Sequence, residues 1–199
     1  MTDNPDNNVD DGGPANGGAV AAPHRLLAAV ERARILDRPA EAVVKPLRRL
    51  FGGRAGRSLR GEELGHPLHP LAVTLPIGAW LCSSLLDFLP GNDSAARRLV
   101  AVGLLATPAA MVLGAADYSE LDVRQRRVGL AHAAGNALAA AVFAQSYFAR
   151  GRGAKAAGKT LNLVGLLVLG AGGALGGHLA YAQGAGVFRW QSGSAGAPR

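Results

Sequence analysis

Four blocks of apolar residues, 71–89, 99–116, 128–149 and 161–182, stand out from an otherwise polar chain. Each runs about 18 to 22 residues, which matches the roughly 20 residues a helix needs to cross about 30 Å of hydrocarbon. Asp87, at the edge of the first, is the one acidic or basic residue inside them. A soluble bundle shows polar residues on its outer faces at helical spacing, whereas residues 163–175 are apolar or glycine all the way round. The pattern predicts an all-α fold, a four-transmembrane-helix antiparallel bundle over 66–189. Pro90, Gly91, Asn92, Asp93 and Ser94 suit a turn and helix cap after the first block, and the third connection is rich in glycine and basic residues. Pro76 and Pro108 are expected to kink their spans, and Asp87 is expected to pair with Arg97 or Arg98 across the first connection.

Ahead of the bundle, residues 23–65 hold ten Lys or Arg against five acids. Leu26, Leu27, Val30 and Ala33 fit one helical face, and Val43, Leu47, Leu50 and Phe51 a second, with Lys45, Arg48 and Arg49 outside it. This reads as a basic amphipathic helix resting on anionic lipid headgroups; a solvated basic linker is the alternative. Pro39 suits the opening of the second helix, and Pro46 is expected to interrupt it. Residues 1–22, acidic and glycine-rich, and residues 190–199 read as disordered tails, and the first lacks the basic start and apolar core of a signal peptide.

The formal charge of +7 raises nucleic acid as a partner, yet no zinc-finger spacing, stacking motif or recognition helix accompanies it, so the lipid bilayer accounts for the charge. With four spans, 15 of the Lys and Arg fall on the side of the termini and 6 on the other, which predicts an inner-membrane protein with both termini cytoplasmic. A single cysteine, Cys82, excludes an intrachain disulfide and a Cys-ligated iron–sulfur cluster.

Polar chemistry gathers at the amino-terminal side. His66 and His69 precede the first span, His132 lies one turn into the third, and His178 lies one turn before the fourth ends. Asp117 closes the second, and Asn136 sits one turn from His132 on the same helical face. Ionisable groups at such depth commonly mark functional sites. Three readings stand. The histidines and Asp117 form a hydrogen-bond network that holds helices together. Alternatively, His132 and His178, with His66 or His69 as a substitute, are axial ligands of haem b, the glycines of the fourth span, Gly173 and Gly177 among them, leaving room for the porphyrin. Thirdly, His66, His69, His132, His178 and Asp117 bind a transition-metal ion, His66 and His69 from the extended backbone that Pro67 and Pro70 favour. Ser83, Ser84 and Asp87 lie a bilayer away from the histidines, which removes a hydrolytic triad, and Trp80 reads as a packing residue.

The runs GHPLHP, LPIGAW, SSLLDFLP, ATPAAMVLGAADYSELD, RRVGLAHAAGN and LGGHLAYAQGAGV together resemble a family of bacterial membrane proteins, domain of unknown function 2231, over residues 24–189. The resemblance implies a four-helix integral membrane protein and puts the four histidines and Asp117 at family motif positions. Some similar chains carry a Rieske domain after the bundle, which implies electron transfer with a separate Rieske-type redox partner for this chain. It implies no settled activity; a cofactor-free structural or interaction subunit, packing through glycine-rich helix faces, is the rival class.

Overall fold

A computed structural model describes residues 17–186 of the chain, with side chains from Arg25 onward. The expected tails fall outside the described residues, apart from 17–22 at the opening of the first helix. All regular structure among the described residues is helical: α1 (Gly17–Arg32), α2 (Asp37–Phe51), α3 (Arg54–Arg60), α4 (Leu68–Ala72), α5 (Thr74–Leu86), α6 (Asp93–Tyr118), α7 (Val123–Gly151) and α8 (Lys155–Gly177), the last continued by one π turn, His178–Ala182. Four stretches are long and apolar enough to cross a membrane: Leu68–Leu86, Asp93–Tyr118, Val123–Gly151 and Lys155–Ala182. The first combines α4 and α5.

Local chemistry accounts for the boundaries. Asp122 caps α7 through a capping box, its carboxylate accepting from the Gln125 N–H at 2.9 Å while the Gln125 side chain accepts from the Asp122 N–H at 3.1 Å. Pro67 stands in extended backbone just before α4, and Pro70 occupies the first turn, where no backbone N–H is needed. His69 therefore lies on a helix, contrary to the extended backbone expected there. Pro76 falls in the first turn of α5 for the same reason, and the break in this span comes at Val73. Pro108 lies inside α6 without ending it. Pro46 likewise does not interrupt α2, because the carbonyl it leaves without a donor belongs to Ala42, which is exposed.

Between helices in lipid there is little hydrophobic drive, so association relies on close packing and hydrogen bonds. The α7–α8 contact shows how. Side chains of α7 seat against glycines of α8 in a fixed antiparallel register: Arg150 on Gly158, Phe143 on Gly165, Asn136 on Gly172 and His132 on Gly176. The steps are seven, seven and four residues on both helices, the repeat that keeps one seam facing its partner. Toward the end of the bundle away from the leader, the Phe143 ring stacks on Trp80 of α5, with centroids 4.1 Å apart. Gly103 of α6 lies against the indole and Gly165 of α8 against the Phe143 ring, so all four spanning helices meet at this stack. Trp80 is thus a packing residue, and its indole N–H donates to the Val100 carbonyl at 3.3 Å.

The leader helices pack on the amino-terminal end of this bundle. Val44 is fully buried with Tyr118 and Leu121. Of the face expected on α2, Leu47 and Phe51 pack inward while Val43 and Leu50 are exposed, the buried stripe being Ala40, Val44, Leu47 and Phe51.

Candidate functional site: a histidine pair between two polar layers

The first polar layer joins the leader to α7. Arg124 pairs with Glu31, Arg126 with Glu41 at 3.0 Å, and both nitrogens of the Arg127 fork reach the Asp37 carboxylate, at 2.5 and 3.0 Å. Three acids on the leader meet three arginines in the first turns of α7. Burial pushes the Glu31 carboxyl up, but the hydrogen bond and charge of Arg124, with His178 adding to both, outweigh it and hold that group below its ordinary 4.5. The Arg127 hydrogen bond, supported by its charge and that of Arg34, holds Asp37 below 3.8 against a smaller opposing cost of burial.

His178 belongs to this layer. Its Nε2 lies 3.5 Å from Glu31, and it opens the π turn that ends the fourth span. His66 is exposed ahead of α4, where its backbone N–H donates to the Gly61 carbonyl at 3.3 Å. Asp117 is half-buried in the last turn of α6 and engaged there.

His69 and His132 come together. Their rings meet edge to face, centroids 6.4 Å apart and planes at 90°. Each is fastened through Nδ1 to a carbonyl of a neighbouring helix: His69 to Ala110 of α6 at 2.9 Å, His132 to Gly172 of α8 at 2.8 Å. A carbonyl only accepts, so Nδ1 of both rings carries the proton and, in the neutral imidazole, Nε2 is a lone pair. The Asn136 amide lies 3.1 Å from Nε2 of His132 and donates to it, as the four-residue spacing led one to expect. Glycine makes the room: a Cβ on Gly114 would stand 2.9 Å from the His69 ring, and one on Gly176 2.7 Å from the His132 ring. Ala110 lies eight residues before the end of α6, and His132 nine after the start of α7. At about 1.5 Å per residue the pair sits about 12 to 14 Å inside the leader end of the bundle.

Two expectations are corrected here. The histidines brought together are His69 and His132, whereas His178 faces Glu31 and His66 faces outward. Among the described residues no three His, Cys, Asp or Glu side chains approach closely enough to hold a metal ion, so His66, His69, His132, His178 and Asp117 do not form one ligand set. The glycines of α8 divide in two sets, one covered and one open. Gly172 and Gly176 are covered by Asn136 and His132, while Gly173 and Gly177 have nothing within 4 Å.

A second polar layer, at the far end, was not anticipated. Asp87 accepts two hydrogen bonds from the Arg150 fork, at 2.7 and 2.5 Å, rather than pairing with Arg97 or Arg98. Arg97 instead lies over the Tyr147 ring, 4.3 Å from its centroid. Arg150 continues to Ser146, which donates to the Gly158 carbonyl at 2.7 Å, and Lys159 donates to the Asp87 carbonyl at 2.9 Å. Asn162, fully buried, donates to Ser83 and Ser84 of α5. The signal for this layer is present in the spacing: Ser83 with Asp87, and Ser146 with Arg150, are four apart, each placing a hydroxyl and a charge on one helical face.

A family profile described as Predicted membrane protein (DUF2231) matches residues 65–189. The match spans more than half of the chain, and the chain belongs to this family. With its four apolar helices it is a multi-pass membrane protein. No curated protein and no solved structure is a significant match.

Proposed function

We propose that this protein holds haem b or a transition-metal ion at His69 and His132 and serves an electron-transfer path in the bacterial inner membrane, with both termini cytoplasmic and the leader resting on anionic headgroups. The observation that carries the reading is the imidazole pair. His69 and His132 would be the residues to hold the metal, one imidazole from each of two helices with ring centroids 6.4 Å apart. Each ring is also held as metal-ligating histidines commonly are, with the second nitrogen donated to a backbone carbonyl. Neutral imidazole suits haem iron, copper and zinc alike. A bound redox metal would supply one-electron chemistry; the chain's own part is to fix both rings through Nδ1, and the Asn136 amide, 3.1 Å from Nε2 of His132, would turn aside for that nitrogen to hold the metal. A Rieske-type protein fits as the separate redox partner, since Cys82 alone cannot hold a cluster.

A cofactor-free reading is favoured by one fact: the same hydrogen bonds already tie α4 to α6 and α7 to α8. Visible absorption and elemental analysis of detergent-purified protein separate the two. The proposal expects a Soret band or about one equivalent of metal per chain, lost in His69→Ala and His132→Ala and kept in His178→Ala. Neither signal, or equal loss in His178→Ala, decides for a purely structural pair.

A further inference from the structure

Between α2 and the first turn of α7 lies a cleft of about 330 Å³ lined by Asp37, Arg38, Ala40, Glu41, Val123 and Arg126. Its position is set by the fold: Val123 is the first residue of a spanning helix, five residues ahead of its apolar block, so the cleft lies at the polar end of that span. Val123, more than half exposed, gives the lining its open apolar surface, Ala40 being buried. Both carboxylates in the lining are already neutralised, Asp37 by the Arg127 fork and Glu41 by Arg126 and Lys45. Arg38 is exposed and has no ion-pair partner among the described residues. Counting the arginines and lysine that neutralise the acids, the cleft carries a net positive charge.

Elsewhere on the leader, Arg49 and Arg54 also lack ion-pair partners among the described residues, and Ile35, Leu50 and Leu64 are exposed. Exposed apolar side chains among unpaired cations suit an interface of acyl chains and phosphates and suit bulk water poorly.

We infer that this cleft is a binding site for the phosphate of an anionic phospholipid, with Arg38 as its principal donor and the exposed Val123 side chain beside the first methylenes of the acyl chains. Arginine matches phosphate oxygens with two parallel N–H donors, and Glu31, Asp37 and Glu41 are spent on α7, leaving Arg38 for lipid. The site is independent of the histidine pair, and the inference goes beyond the electrostatic attraction of the whole leader by naming one locus.

The test uses the full chain in nanodiscs of equal phosphatidylglycerol and phosphatidylcholine, followed by native mass spectrometry of the lipids retained on release. Arg38→Gln is expected to lower phosphatidylglycerol retention about fivefold, the effect of one basic residue near an anionic surface, while Arg54→Gln, away from the cleft, leaves it unchanged. Val123→Glu, which adds a carboxylate at an exposed position, is expected to lower it at least as far. Equal retention of both lipids by the unaltered chain, full retention in Arg38→Gln, or equal loss in Arg54→Gln each overturns the site, the last in favour of diffuse surface charge. Recording the absorption spectrum of the same samples keeps the outcome separate from that of the histidine proposal.

Discussion

At the scale of single residues, the molecule is arranged around what glycine permits. Gly176 gives His132 its place, and a Cβ there would stand 2.7 Å from one ring atom and 2.9 Å from the nitrogen that bonds to Gly172. Gly176→Ala is therefore expected to displace the ring and destabilise the bundle by about 1–3 kcal/mol. Gly173→Ala, with open space around it, is expected to leave stability nearly unchanged. Thermal unfolding in detergent distinguishes the two. The sequence already paired His132 with Asn136, because four residues along a helix is a fixed geometry. It could not pair His69 with His132, since prolines on both sides of His69 read as extended chain and only the first turn of a helix tolerates them. Nor could it choose Arg150 for Asp87 over the nearer Arg97 and Arg98, because partner choice between helices depends on the rotation of each about its axis.

Among the elements, α7 and α8 carry the architecture. The glycines of α8 were legible as close-contact positions, but which of them face α7 depends on a register that one helix alone does not reveal. That register brings Arg150 over Gly158 and seats the guanidinium on Asp87, both side chains under a tenth exposed. Asp87→Ala strands a buried cation and is expected to cost about 3–5 kcal/mol, whereas Asp87→Leu with Arg150→Met is expected to recover most of it. Chemical unfolding in mixed micelles would show this; equal loss in the single and double variants would exclude an ion pair as the reason. The number and approximate limits of the spanning helices were readable from the apolar blocks, because lipid demands length and composition before it demands any particular contact.

The whole molecule consists of a bundle and a leader joined through ion pairs. Folding lowers the affinity of the Glu31 and Asp37 carboxyls for protons, so their contribution is fully present above their ordinary values of 4.5 and 3.8 and is lost as pH falls below those through the depressed ones. Protection factors of amides in α1 and α2, taken against the intrinsic exchange rate at each pH, are expected to fall at pH 3 relative to pH 6 while those at the centre of α7 are kept. The charge difference between the two ends leads to a further expectation: maleimide reaches Ser94→Cys, in a Cys82→Ala background, from the periplasmic side and Arg54→Cys from the cytoplasmic side.

The indole of Trp80 and the ring of Phe143, clasped by Gly103 and Gly165, divide the interior into two compartments. Among the described residues no hydrogen bond links the polar groups on one side of this stack to those on the other, so a substitution that loosens the Asp87–Arg150 layer is expected to leave the two imidazoles where they are.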